Sequence, residues 1–189
     1  MNGLRSLMRW VVGAALWVVL VPSLPMSELQ AQDLASGACL TEEESRLYEL
    51  IDAYRAQHDL PTIPVSPSLT LVARLHVEDL LAQGRLTHGW QDCPYDAGDS
   101  ATFSCMWQAP ERLGTEYPHF GYENAFWDGG EATAERAFQG WKSSRGGHRE
   151  VILNQGPWEK DWKALGLSIQ GPFAVLWVGH EVDPALECD

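Results

Sequence analysis

Basic residues are scarce in this chain. Its 189 residues include 13 lysines and arginines against 26 aspartates and glutamates, so the formal net charge is −13 at pH 7. Because an acidic surface repels phosphate groups, the composition argues against nucleic acid or an anionic membrane as the main partner. The same charge favours solubility and the binding of cations. Internal repeats and low-complexity segments are missing as well, so a single globular domain is expected.

The four cysteines never occur at the Cys-x-x-Cys spacing that is typical of zinc-binding cysteine sites. In an exported protein an even number of cysteines indicates disulfides, and four cysteines allow three pairings. We favour Cys93 with Cys105, which closes a short polar loop, and Cys39 with Cys188, which joins the two ends of the domain. The longer closed loop would stabilise the fold by roughly 4 to 5 kcal/mol in the chain-entropy model.

The apolar run near the start is too short to span a membrane, because a spanning helix needs roughly 20 residues. The run from Trp10 to Val21 follows Arg5 and Arg9 and precedes Pro22, which is the layout of a secretory signal peptide. We expect cleavage after Ala31, which leaves no transmembrane anchor; an uncleaved anchor is the alternative. The predicted location is secreted, either extracellular or periplasmic.

Two amphipathic helices are predicted next. Thr41 and Glu44 match a capping box, and apolar residues then recur at helical spacing until about His58. A second helix begins at Pro67, since proline is favoured at the first helical position, and Gly84 ends it. His76 lies on the apolar face of this helix, where a hydrogen-bonded core histidine is the expected role.

Residues 90–118 lose periodicity and are predicted to form a long loop with short helical turns, pinned by a disulfide. A third helix is predicted to start within residues 128–131, and a short fourth helix follows His148. Leu165, Leu167 and Ile169 alternate as a half-buried strand, and residues 173–178 form an apolar run that suits a strand buried on both faces. Helices followed by such a hairpin predict an α+β fold, with a sheet between helical layers.

Three polar fragments carry most of the functional information. They are the sequences THG around His88, GYENA around Glu123, and GGHR around His148. Each fragment alone is weak. In this order, after two helices and before a hairpin, they indicate one cleft lined by two imidazoles and a carboxylate, which can bind a divalent metal or move protons.

With three further segments, these fragments resemble the CAP superfamily of cysteine-rich secretory proteins, antigen 5 and pathogenesis-related-1 proteins (the SCP domain), in its bacterial form. The further segments are YRAQHDLP (54–61), ARLHVED (73–79) and WKSSRGGHR (141–149). The resemblance implies a three-layer α-β-α sandwich with a small antiparallel sheet and a central cleft. We therefore divide the chain into a signal peptide (1–31), an N-terminal segment (32–42), a CAP domain (43–183) and a C-terminal tail (184–189).

By this resemblance the cleft histidines fall on His88 and His148 and the first cleft glutamate on Glu123, with a supporting role expected for Asn124, Ser144 and Arg149. Three departures stand out. Ser144 takes the place of a second glutamate found in animal and plant members. Tyr122 stands where glycine is usual, and one extra residue separates Trp141 from His148.

Two neutral imidazoles and a carboxylate suit zinc or another divalent cation, with one coordination position left for water. Glu123 would be the third metal ligand or, as a speculative catalytic residue, the base beside that water. The alternative is a polar network that holds the cleft together without a metal. No organic cofactor is expected.

The predicted function is extracellular binding by a monomer, with a cation and a lipid, glycan or peptide in the cleft. Trp90, Trp107 and Trp127 lie in predicted loops and are candidates for lining an apolar groove. The alternative function is a zinc-dependent hydrolase or peptidase that uses the same cleft. A structural surface module without a small ligand is the third hypothesis.

Overall fold

The computed structural model describes residues 40–185. The predicted signal peptide and the predicted Cys39–Cys188 pair lie outside these residues. Within residues 40–185, no helix combines the length and the apolar character that crossing a membrane requires.

Two long helices start where the capping residues predict. Helix α1 (Glu42–Ala56) begins with the predicted capping box, in which Thr41 accepts a hydrogen bond from the Glu44 amide and Glu44 accepts one from the Thr41 amide. Helix α2 (Pro67–Gln83) has Ser66 as its N-cap, with proline at its first position. Gly84 ends it at φ 66°, a left-handed conformation that favours glycine.

The sheet has three antiparallel strands in the order β1-β3-β2. They are β1 (Tyr122–Trp127), β2 (Ala164–Gln170) and β3 (Phe173–Gly179). Strands β2 and β3 form the predicted hairpin, and β3 is buried along its whole length. Strand β1, which carries Glu123 and Asn124, lies at one edge of the sheet.

One prediction about the hairpin is wrong. Strand β2 is not half-buried, because its first five residues are all buried. The reason is the close approach of α2: a Cβ atom on Gly166 would lie 2.1 Å from the carbonyl carbon of Leu69. Gly166 therefore leaves room for the first turn of the helix on the face that was expected to meet solvent.

Two hydrophobic cores lie on opposite faces of the sheet, which confirms the three-layer sandwich. In β3, alternate residues enter the two cores, as the period of two in a strand requires. Helix α1 shares the first core with α5 (Ala134–Ser143) and α6 (His148–Ile152). Helix α2 shares the second core with two short helices, α3 (Ser104–Trp107) and α4 (Ala109–Arg112).

Helix α5 starts later than predicted. Its N-cap is Thr133, and residues 128–131 are not helical because the Asp128 carboxylate accepts a hydrogen bond from the Gly130 amide and so stabilises a turn. The predicted inner face is confirmed, since the following four residues are buried: Ala134, Ala137, Phe138 and Trp141.

The long loop before β1 is confirmed as irregular chain with short helical turns. It contains α3, α4 and a single 3-10 turn (Ser100–Thr102). The predicted Cys93–Cys105 disulfide is present, with the two Cα atoms 5.3 Å apart. It joins the start of the loop to α3.

Candidate functional site

The Glu123 carboxylate lies at the centre of the polar network. The side chain is fully buried on β1 and contacts two imidazoles: Oε1 bonds to Nδ1 of His76, and Oε2 lies 2.7 Å from Nδ1 of His88. Each carboxylate oxygen is therefore occupied by a different histidine, one from α2 and one from the loop that follows α2.

His76 completes a buried ion pair with Glu123. Its second nitrogen, Nε2, lies 3.2 Å from the Gly89 carbonyl oxygen, so both ring nitrogens face acceptors and both must donate. Burial lowers the pKa of His76, but the Glu123 charge outweighs it and the net shift is upward. Burial likewise raises the pKa of Glu123, yet the imidazole of His76 and then that of His88 bring it down to about 2.

The expected core role of His76 is confirmed, but its part in the cleft was missed. Its ring is completely buried and stacks on Trp90, with the ring centroids 4.3 Å apart. Helical periodicity identified the buried face. It carried no signal that the partner of His76 would be the carboxylate of the predicted cleft, 47 residues further along the chain.

His88 presents its ring to the cleft. Its side chain is 29% exposed, and its Nδ1 is turned inwards to Glu123. The ring faces that of His148 across the cleft, with the centroids 6.3 Å apart, and meets Tyr95 edge-on. The structure thus brings the two predicted histidines and the predicted glutamate together.

His148 reaches the cleft from the opposite layer. It begins α6, immediately after Gly147, whose φ of 102° is a left-handed conformation that favours glycine. Its Nδ1 lies 3.0 Å from the Ser144 hydroxyl oxygen, and its carbonyl accepts a 2.8 Å hydrogen bond from Asn124. Burial and the neighbouring His88 lower the pKa of His148, so the neutral ring is favoured.

The alternation of β1 connects the two layers. Glu123 points to the α2 side and Asn124 to the α6 side, because successive strand residues face opposite ways. The predicted supporting roles of Asn124 and Ser144 agree with these contacts. Arg149 is different: it is exposed, pairs with Glu150 at 2.9 Å, and does not line the cleft.

Aromatic rings form the wall of the cleft, which has a volume of about 250 Å³. The loop contributes Tyr95, Phe103 and Trp107, whose successive ring centroids are 5.3 Å apart, and Trp158 lies on the other side. The Cys93–Cys105 disulfide holds this loop. Tyr122, the residue that replaces the usual glycine, lies outside the cleft lining but bridges the two sides of the wall, 6.1 Å from Trp107 and 5.0 Å from Trp158.

Only one of the three predicted loop tryptophans belongs to this wall. Trp107 lines the cleft. Trp90 is buried behind it against His76, and Trp127 ends β1 with 54% of its surface exposed, away from the cleft. The sequence positions of the three tryptophans do not predict which one lines the cleft, which one is buried and which one is exposed.

The residues of the cleft do not fit a three-ligand zinc site. Both Glu123 oxygens are hydrogen-bonded to imidazole Nδ1 atoms. The carboxylate therefore orients His88 and has no free oxygen with which to bind a cation. At the position where the resemblance places a second glutamate in animal and plant members, this chain has Ser144, which supplies a hydroxyl instead of a carboxylate. Within residues 40–185, no group of three or more histidine, cysteine, aspartate or glutamate side chains is arranged to hold a metal ion.

A three-layer α-β-α sandwich, with two facing imidazoles and a buried glutamate beside an edge strand, defines a class of protein: the CAP, or SCP, domain. A family model described as CAP, the cysteine-rich secretory protein family, matches residues 48–156. The chain belongs to this family, which confirms the resemblance drawn from its sequence.

Solved structures of bacterial proteins share the fold. One is an extracellular protein containing an SCP domain from Bacillus anthracis, with 18% identity and a TM-score of 0.58 over 85% of this chain and 45% of that one. An outer surface protein from Borrelia burgdorferi has 17% identity and a TM-score of 0.54, covering 74% and 92%. A cysteine-rich secretory protein from Staphylococcus aureus has 15% identity and a TM-score of 0.50, covering 74% and 39%.

The chain spans less than half the length of the Bacillus and Staphylococcus proteins. No curated protein matches it significantly. At these identities the likeness concerns the fold alone.

Proposed function

We propose that this chain is an exported binding module whose cleft receives a small organic ligand with an apolar face and a polar end. The single observation that carries this proposal is the cleft itself, in which four aromatic side chains stand beside two facing imidazoles. Ligand sites typically combine an apolar lining with a few polar groups that fix orientation. The acidic net charge favours a neutral or cationic ligand.

An extracellular location is part of the proposal. The Bacillus and Borrelia neighbours are described as extracellular and outer-surface proteins. The charge-then-apolar start of this chain and its disulfide agree with export.

The rival function, a zinc-dependent hydrolase or peptidase, has less support. It requires Glu123 to bind the metal or to accept a proton from water. A carboxylate with both oxygens bonded to imidazoles and no exposed surface is poorly placed for either role. The geometry therefore favours binding over hydrolysis.

The test compares two tryptophan variants in ligand titrations. A short-chain lysophospholipid, a methyl glycoside and a short neutral peptide are each titrated into the protein, and NMR shifts of the indole and imidazole groups are recorded. Trp107→Ala removes part of the cleft wall, and we expect it to weaken binding about tenfold or more. Trp127→Ala, at an exposed site outside the cleft, is the matched control and should leave binding unchanged.

Two results would reject the proposal. Binding that falls equally in both variants would place the ligand elsewhere. Failure of all three ligand classes to shift any cleft signal would favour a structural module instead.

A further inference from the structure

We infer that Glu123 and Ser144 set the two cleft imidazoles in opposite tautomers, so that the cleft recognises the hydroxyl groups of a neutral ligand, such as a sugar unit, and disfavours a divalent cation. This inference rests on the proposed function, because it takes the same cleft as the ligand site. It depends on the hydrogen bonds that each ring makes through Nδ1.

The tautomer of His88 follows from its partner. Its Nδ1 lies 2.7 Å from Oε2 of Glu123, and a carboxylate only accepts hydrogen bonds. Nδ1 must therefore carry the proton. When the ring is neutral it carries no second proton, so the Nε2 atom of His88 is then an acceptor.

The tautomer of His148 follows from Ser144, and it is the opposite one. The Ser144 oxygen already accepts a 3.0 Å hydrogen bond from the Gly146 amide. The oxygen has a second lone pair, so the direction is assigned from the hydroxyl proton: among the described residues the one acceptor within its reach is Nδ1 of His148, 3.0 Å away, and donation to it satisfies both groups. When Nδ1 accepts, Nε2 carries the proton, so His148 offers a donor.

One donor and one acceptor match hydroxyl groups better than a cation. A hydroxyl both donates and accepts, so one or two neighbouring hydroxyls satisfy the set. A divalent cation needs lone pairs on both Nε2 atoms, and His148 presents a proton instead. The apolar C–H face of a sugar can pack on the aromatic wall formed by Tyr95, Phe103 and Trp107.

The first test reads the tautomers directly. Nitrogen-15 NMR of the histidine rings at pH 8 distinguishes protonated from unprotonated nitrogens, and His88→Gln and His148→Gln variants assign the signals. We expect a proton on Nδ1 of His88 and on Nε2 of His148. A proton on Nδ1 of both rings would overturn the inference.

The second test measures what Ser144 does to cation binding. In Ser144→Asp the new carboxylate can accept from both the Gly146 amide and Nδ1 of His148, which places the His148 proton on Nδ1. Zinc affinity measured by calorimetry should then rise about 10- to 100-fold, the usual size of such an orienting contact. Ser144→Ala is the matched control and should gain less.

If the added zinc affinity comes from the cleft, it must depend on the two histidine ligands there. The gain in zinc affinity should disappear when Ser144→Asp is combined with His88→Ala and His148→Ala. Wild-type protein that binds zinc as tightly as Ser144→Asp, with the cleft signals shifted, would overturn the inference.

The third test concerns the ligand. Methyl β-glucopyranoside should shift the ring nitrogens of His88 and His148, whereas its permethylated derivative, which only accepts hydrogen bonds, should leave those of His88 unchanged, because Nε2 of His88 needs a donor. Equal shifts, or none from the glucoside, would overturn hydroxyl recognition. The proposed binding function would still stand if the lysophospholipid or peptide bound through Trp107. Opposite tautomers in a cleft that binds no organic ligand would reject the proposed function together with hydroxyl recognition.

Discussion

Glu123 determines the arrangement of the cleft at the scale of single residues. One buried carboxylate holds His76 on one oxygen and His88 on the other. Removing one partner from a buried charge pair costs far more than the pair contributes net, because the remaining charge stays buried. The orientation of His88 is therefore set by Glu123, whose side chain is completely buried.

The protonation of Glu123 makes stability depend on pH. Its pKa of about 2 lies below the ordinary value of 4.5, so between these values the unfolded chain binds the proton more strongly. The stabilisation is complete above pH 4.5 and is lost as the pH falls towards 2. The raised pKa of His76 acts in the opposite direction, with stabilisation present at low pH and lost as the pH rises through the folded value.

We predict that Glu123→Gln flattens the acid part of this profile. The free energy of unfolding in urea, measured from pH 2 to 7, should fall less steeply below pH 4.5 in the variant than in the wild type. At pH 7 the variant should be less stable by about 3 to 5 kcal/mol, because His76 loses its charged partner. Parallel pH profiles would show that the carboxylate does not titrate as inferred.

Close packing of α2 on β2 matters most at the scale of elements. The sheet accepts the first turn of the helix because Gly166 has no side chain there. This contact helps set the position of α2 on the sheet, and α2 carries His76 to the Glu123 carboxylate. A glycine in a strand is often explained by such an approach of another backbone.

We predict that Gly166→Ala destabilises the fold by about 1 to 3 kcal/mol or more, because a Cβ would lie 2.1 Å from the backbone of Leu69. Gly129→Ala is the matched control, since a Cβ there meets nothing within 4 Å. Urea unfolding of both variants measures the difference. Equal stability of the two would mean that α2 moves away from β2 at little cost.

Arg55 joins distant parts of the chain at the scale of the whole molecule. It is buried at the end of α1, and its guanidinium donates to the Pro61 carbonyl, to the Ile152 carbonyl at 2.6 Å and to the Asn154 side chain at 2.7 Å. Ile152 is the last residue of α6, the helix that begins with His148, and Asn154 follows two residues later. The first helix is thereby linked to the element that supplies one side of the cleft.

We predict that Arg55→Leu lowers the free energy of unfolding by about 2 to 4 kcal/mol, because buried acceptors lose their charged donor. Amide exchange in α6 should also quicken, which a loss of stability confined to α1 would not cause. Arg85→Leu, at an exposed position after α2, is the control and should change little. Unchanged exchange in α6 would contradict the linking role.

The whole-molecule arrangement also shows which predictions the sequence supports. Caps and periodicity identified α1 and α2, because local backbone hydrogen bonding is encoded by neighbouring residues. The hairpin was predictable from its apolar pattern, and the Cys93–Cys105 disulfide from the even number of cysteines and the short loop that this pair closes. Strand β1 was missed, since its sequence YENAFW shows neither alternation nor a continuous apolar run.

The sequence was enough to predict the two long helices, the hairpin, the family and the joining of His88, His148 and Glu123 in one cleft. Only the tertiary structure decided what each polar atom faces. Glu123 contacts His76, which is 47 positions away, and Arg55 contacts Ile152, which is 97 positions away. The residues next to each of them in the sequence are compatible with many different partners. Which imidazole nitrogen donates and which accepts depends on the contacts of His88 with Glu123 and of His148 with Ser144, because a side chain's hydrogen-bonding role is set by the atoms packed around it.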